Sequence, residues 1–144
     1  MKLETERLIL RELVKDDWQR VLEYQSNPLY LRYYEWTERT PEAVQEFVGW
    51  FLNHQSQEPR IKFQLAIVLK SSNQLIGNCG VRMNEANALE ADIGYELDPN
   101  NGITVMLPKP RMPLWISGSV VLMYIAFGHG ALKTISALHM CWRN

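Results

Sequence analysis

The sequence predicts an α/β or α+β domain in which a largely antiparallel sheet is flanked by helices. Three observations carry this prediction. A short apolar strand run opens the chain, two stretches with helical apolar spacing follow, and after Arg60 the pattern becomes apolar runs separated by turn residues. The 144 residues suit one domain around a single core, with no internal repeat and no low-complexity segment.

Leu3 and the run Leu8-Ile9-Leu10, followed by Arg11, read as a first strand. Asp16 and Asp17 then precede Trp18, Val21 and Leu22, whose spacing makes an amphipathic helix with acids at its positive end. Asn27-Pro28 ends it, because the residue before a proline disfavours helical angles. A short aromatic segment follows, with Tyr30, Tyr33, Tyr34 and Trp36. Thr40-Pro41 reads as a helix cap with proline at the first helical position. Val44, Phe47, Val48, Phe51 and Leu52 keep helical spacing, so the second helix ends near His54. Phe63 to Leu69 is a buried-strand run, Ser71-Ser72-Asn73 a turn, and Gln74 to Val81 the next strand. Leu89 to Leu97 is a further strand, closed by the dense turn signal Asp98-Pro99-Asn100-Asn101-Gly102.

The net charge of -1 excludes a general nucleic-acid binder, which carries a basic excess. Two cysteines, Cys79 and Cys141, are too few for a disulfide scaffold, and no apolar leader follows Met1, so a cytoplasmic setting is expected. The charge is split along the chain. All 16 acids lie at or before Asp98, giving residues 1–102 a net -5, whereas residues 103–144 hold no acid and four bases, a net +4. That acid-free tail also holds four of the six methionines and three of the seven prolines.

Three segments of the first part resemble one family. Leu3-Glu4-Thr5-Glu6-Arg7-Leu8-Ile9-Leu10-Arg11 is similar to the opening strand of the GNAT acetyltransferases, in the ribosomal-protein-alanine (RimJ/RimL-like) branch. Leu75-Ile76-Gly77-Asn78-Cys79-Gly80-Val81 resembles that family's strand with the I-G-x-x-G pattern. Ala91-Asp92-Ile93-Gly94-Tyr95-Glu96-Leu97-Asp98-Pro99 resembles its fourth strand. The matches come in the family's order and spacing, and residues 1–102 read as the N-terminal part of a GNAT domain. The resemblance implies a GNAT-like mixed sheet, acetyl-CoA as cosubstrate and an amine as acceptor, a protein N-terminus or a small molecule. It implies that the backbone around Ile93, Gly94, Tyr95 and Leu97 lies along the pantetheine arm, and that Tyr30, Tyr33, Tyr34 and Trp36 wall the acceptor pocket. Asp92 and Glu96 are candidates to help deprotonate the amine; the other reading of both is the solvent-facing half of an alternating strand.

The family places a glycine-rich turn after this strand, where backbone N–H groups at a helix start hold the pyrophosphate. Here Asn100 to Pro110 offers a single glycine, Gly102, and its prolines remove N–H donors. Taking the third base of each codon with the first two of the next permits a continuation that matches the family, and the positions whose bases are forced are its fair test. Met112/Pro113 must then give Ala, Trp115/Ile116 Asp, and Met123/Tyr124 and Met140/Cys141 Val. Residues 103–144 therefore read as a frameshifted tail replacing the pyrophosphate loop and the helix after it, which leaves the C-terminal part of the fold incomplete; the coding DNA after codon 102 is where this reading is checked.

A second functional reading follows from that tail: a non-catalytic interaction protein that keeps the sheet and forms a homodimer through its apolar end. Leu114 to Leu132 lacks Asp, Glu, Lys and Arg, but Ser117, Gly118, Ser119, Gly128 and Gly130 dilute it, so no membrane span is expected. His54, His129 and His139 share no metal-ligand spacing, and no metal site is assigned. Cys79 reads as a small buried hydrophobe.

Overall fold

The computed structural model describes residues 1–101 except Tyr33, Asn87, Leu89 and Glu90. Five strands form one sheet in the order β1 (Lys2–Glu4), β2 (Leu8–Glu12), β3 (Lys62–Leu69), β4 (Gln74–Arg82) and β5 (Asp92–Leu97), each antiparallel to its neighbour. Three helices, α1 (Asp17–Gln25), α2 (Pro28–Leu31) and α3 (Pro41–Gln55), lie between β2 and β3 in the chain.

The expected first strand is two strands. Residues 5–7 turn the chain back, with Thr5 N–H on the Leu8 carbonyl at 2.9 Å and Leu8 N–H on Thr5 Oγ1 at 2.9 Å. A threonine hydroxyl does here what glycine or asparagine does in commoner turns. The aromatic segment also gains structure: Asn27 accepts from Leu29 N–H with its side chain and starts α2 at Pro28. Thr40 caps α3, accepting from Ala43 N–H at 3.3 Å. Asp17, in the first turn of α1, accepts from Arg11 at 2.7 and 2.8 Å and from Val14 N–H at 2.8 Å, so it ties β2 to the helix start. The strand expected from Leu89 runs from Asp92 among the described residues.

The sheet has an apolar layer on each face. Ala66, Val68 and Leu75 meet Val21 and Tyr24 of α1 and Val44, Val48 and Phe51 of α3, all buried. Leu10, Leu65, Ile67, Ile76 and Cys79 form the opposite layer. Alternation along a strand explains the split, but a β-bulge resets it. Val68 faces Leu75 and Ile67 faces Gly77, so Ile76 is the extra residue on β4. Uninterrupted alternation from Leu75 would put Asn78 on the face away from the helices. The bulge turns Asn78 toward them, and the register pairs it with Glu96. Two glycines permit the close approach of neighbouring strands here. A Cβ on Gly77 would come within 2.2 Å of the Glu96 carbonyl oxygen, and one on Gly80 within 2.1 Å of Gln64 Oε1.

Candidate functional site

Asp92, Gly94 and Glu96 share the helix-side face of β5, and Glu96 points into a polar cluster there. Its Oε1 accepts from Tyr24 Oη at 2.6 Å, Gln25 Nε2 at 2.8 Å and Asn78 Nδ2 at 2.5 Å. Its Oε2 accepts from Tyr30 Oη. Asn78 also donates to Tyr24 Oη at 2.8 Å and accepts from Gln64 Nε2, and Arg82 donates to Gln64 Oε1 at 3.0 Å. On the other side Arg39 Nε donates to Gln25 Oε1 at 2.8 Å. The cluster runs from one arginine to another through Glu96. Among the described residues no buried side-chain polar atom is left without a partner, as a low-dielectric interior demands.

Burial pushes the Tyr24 and Tyr30 hydroxyls well above the ordinary phenol range, and the Glu96 charge adds to it, so both stay protonated and donate. Burial also raises the Tyr34 hydroxyl, and it raises the Cys79 thiol to about 12, where it behaves as an apolar side chain. Arg82 is lowered from the ordinary guanidinium range by burial, against the pull of Glu96 and Asp92.

A cavity of about 590 Å³ opens beside Glu96. Tyr30, Tyr34 and Trp36 line one side as a ladder, with ring centroids 4.5 Å apart at each step. Phe47, Trp50 and Phe51 of α3 line the other, and Arg39, Arg82 and Gln25 complete the wall with the exposed Glu46 at its rim. The structure thus brings Glu96 together with three of the four expected acceptor residues; Tyr33 lies outside the described residues. Asp92 stays apart. It is exposed, pairs in register with Arg82, and does not line the cavity. Sequence reasoning missed Tyr24, Gln25, Gln64, Asn78, Arg39 and Arg82. A buried asparagine inside an apolar strand was the one signal available for them.

β5 ends the sheet order. Asp98 N–H donates to the Ile76 carbonyl at 2.7 Å, and the antiparallel ladder then alternates, so Ile93, Tyr95 and Leu97 turn their backbone groups to the outer edge. No described strand takes them. Gly94, between them, leaves room on the helix face for Arg82, whose Nη1 would lie 3.1 Å from a Cβ built there. Among the described residues there is no group of metal-ligating side chains, and no helix is long and apolar enough to cross a membrane. The expected pyrophosphate loop, frameshifted tail, dimerising segment and Leu114–Leu132 stretch fall outside the described residues.

Residues 7–106 match the acetyltransferase (GNAT) domain family. The uncharacterized N-acetyltransferase p20 of Bacillus licheniformis is 30% identical over 99 residues, covering 69% of this chain and 55% of the relative, so the chain spans about half that protein's length. An acetyltransferase of the GNAT family from Bacillus anthracis superposes with a TM-score of 0.56 at 22% identity, over 73% of this chain and 58% of that one. The ribosomal-protein-S5-alanine acetyltransferase of Vibrio fischeri gives 0.59 at 18% identity, over 88% and 68%. A ribosomal L7/L12 alpha-N-protein acetyltransferase, solved in complex with coenzyme A, gives 0.56 at 21%, over 72% and 61%. At these identities the structural likeness is one of fold.

Proposed function

Because the chain belongs to the acetyltransferase (GNAT) family, we propose that its described residues form the acceptor half of an acetyl-CoA-dependent N-acetyltransferase, moving an acetyl group to the amine of a protein N-terminus or a small molecule. The observation that carries this reading is the occupancy of Glu96. Three donors fill Oε1, whereas among the described residues Oε2 takes only Tyr30 and keeps acceptor capacity, and Glu96 lines the cavity. An ammonium group in the cavity can pass a proton to Oε2, directly or through one water, and becomes nucleophilic. Tyr24, Gln25 and Asn78 hold the carboxylate in place throughout. Asp92, outside the cavity, is not assigned this step. Acetyl-CoA supplies the thioester carbonyl that the amine attacks and the thiol that leaves. Tyr30, Tyr34 and Trp36 hold the acceptor's body, and the outer edge of Ile93 to Leu97 holds the pantetheine arm.

The same reading takes residues 103–144 as the replacement of the pyrophosphate loop, so that acetyl-CoA is held along β5 without a phosphate cradle. Calorimetric titration with acetyl-CoA and with S-acetylpantetheine tests this. The expected result is two affinities within about threefold of each other and weaker than about 10⁻⁴ M, since no charge-assisted bonds to phosphate distinguish them. Micromolar binding of acetyl-CoA alone would show a working cradle.

A further inference from the structure

Three arginines of this domain pair with an acid. Arg11 reaches Asp17 at 2.7 Å, Arg20 reaches Asp98 at 2.5 Å and Arg60 reaches Glu12 at 2.8 Å. The two arginines of the cavity wall differ. Among the described residues neither Arg39 nor Arg82 has a carboxylate oxygen within 4.0 Å. Each is instead fixed through one nitrogen to an amide, Arg39 Nε to Gln25 and Arg82 Nη2 to Gln64, and each rests on an aromatic ring, Trp36 at 5.1 Å and Phe51 at 5.3 Å. A guanidinium has five N–H donors, so the remaining donors of both are held in orientation with no carboxylate among the described residues to receive them. Burial makes the Arg82 charge costly, and the two acids that offset it do so without an ion pair: Glu96 has its Oε1 filled by other donors, and Asp92, its register partner, lies more than 4.0 Å away.

Resting on the acetyltransferase reading, the geometry points to an acceptor that carries a carboxylate beside its amine: a free amino acid, with its amine at Glu96 Oε2 and its carboxylate on Arg82, supported by Arg39. The spacing agrees. The Arg82 guanidinium lies over Gly94, two residues from Glu96 on the same strand face. Strand rise sets those positions about 7 Å apart. An α-amino acid with a hydrogen bond of about 2.9 Å at each end spans a similar distance. The aromatic walls suit an apolar or aromatic side chain.

Titration of the full chain with L-phenylalanine and with 2-phenylethylamine, which differ by the carboxylate alone, tests this. The wild type is expected to bind L-phenylalanine about tenfold more tightly or better, as a charge-assisted bond requires. Arg82→Gln should remove that preference, and Arg82→Lys should restore part of it. Arg39→Gln, less central, should narrow the preference, and each variant's thermal midpoint shows that it is folded. Equal binding of the two amines, binding of neither, or a preference that survives both glutamine variants would overturn the proposal. Acetylation assays on the same pair separate this from the parent reading. A binding preference with no acetyl transfer to either amine sinks the acetyltransferase reading and leaves the subsite; equal transfer to both sinks the subsite and leaves the enzyme.

Discussion

Glutamine in place of Glu96 is expected to lower the rate of acetyl transfer by about 10²–10⁴-fold, the range for losing a positioned general base. The amide keeps the side chain's shape but accepts no proton from the amine. It also presents two N–H donors where Tyr24, Gln25, Tyr30 and Asn78 all donate. At least one buried donor then faces another, which costs about 1–3 kcal/mol of stability. The two effects separate in assays run well below the variant's unfolding temperature. Loss of a base lowers kcat in a protein that is still folded, and Glu96→Asp should restore part of it. A carboxylate serving only to hold the cluster together would leave kcat of the folded variant within about tenfold of the wild type.

Asp98→Ala should destabilise the fold by about 3 kcal/mol, measured as a drop in the free energy of unfolding by urea with an unchanged m-value. Asp98 is 2% exposed and lies where β5 meets α1. It accepts from Arg20 Nη2 at 2.5 Å, from Asn100 N–H at 2.9 Å and from Asn101 Nδ2 at 2.9 Å. Arg20 in turn donates through Nε to the Leu75 carbonyl at 2.9 Å, so one carboxylate joins the helix, β4 and the turn that leaves the sheet. Alanine strands a half-buried guanidinium, whose remaining acid is the exposed Glu23 at 2.5 Å. The cost comes from leaving that guanidinium to one exposed acid rather than from a lost attraction, so Arg20→Leu with Asp98→Leu should cost less than Asp98→Ala alone.

Local rules account for most of the elements. Thr40-Pro41 and Asn27-Pro28 start their helices through side-chain and proline geometry fixed within a few residues, and β3 and β4 follow from apolar runs around a turn whose Asn73 takes φ 53°. The hairpin of β1 and β2 was hidden because Thr5-Glu6-Arg7 holds none of the usual turn residues. The site was legible only in parts. Asp92 and Glu96 have the same chemistry and the same strand parity; what separates them is that α1 and α2 bring Tyr24, Gln25 and Tyr30 over Glu96 and not over Asp92. Those residues lie more than 60 positions earlier in the chain, so no local pattern could pair them. Asn78 reaches the site through a bulge at Ile76, and a bulge has no reliable sequence signature. Arg39 and Arg82 lie 43 positions apart with no local pattern to join them, and only the tertiary structure sets both against one cavity.

The central claim is that this chain carries an acetyltransferase's acceptor site, and mass spectrometry of the product tests it most directly. The chain is incubated with millimolar acetyl-CoA and L-phenylalanine, and N-acetylphenylalanine is counted against free coenzyme A thiol. The account predicts slow formation of the N-acetyl product, with one thiol released for each amide bond made. No acetylated amine over three or more hours, or thiol release that is the same with and without the amine, would contradict it.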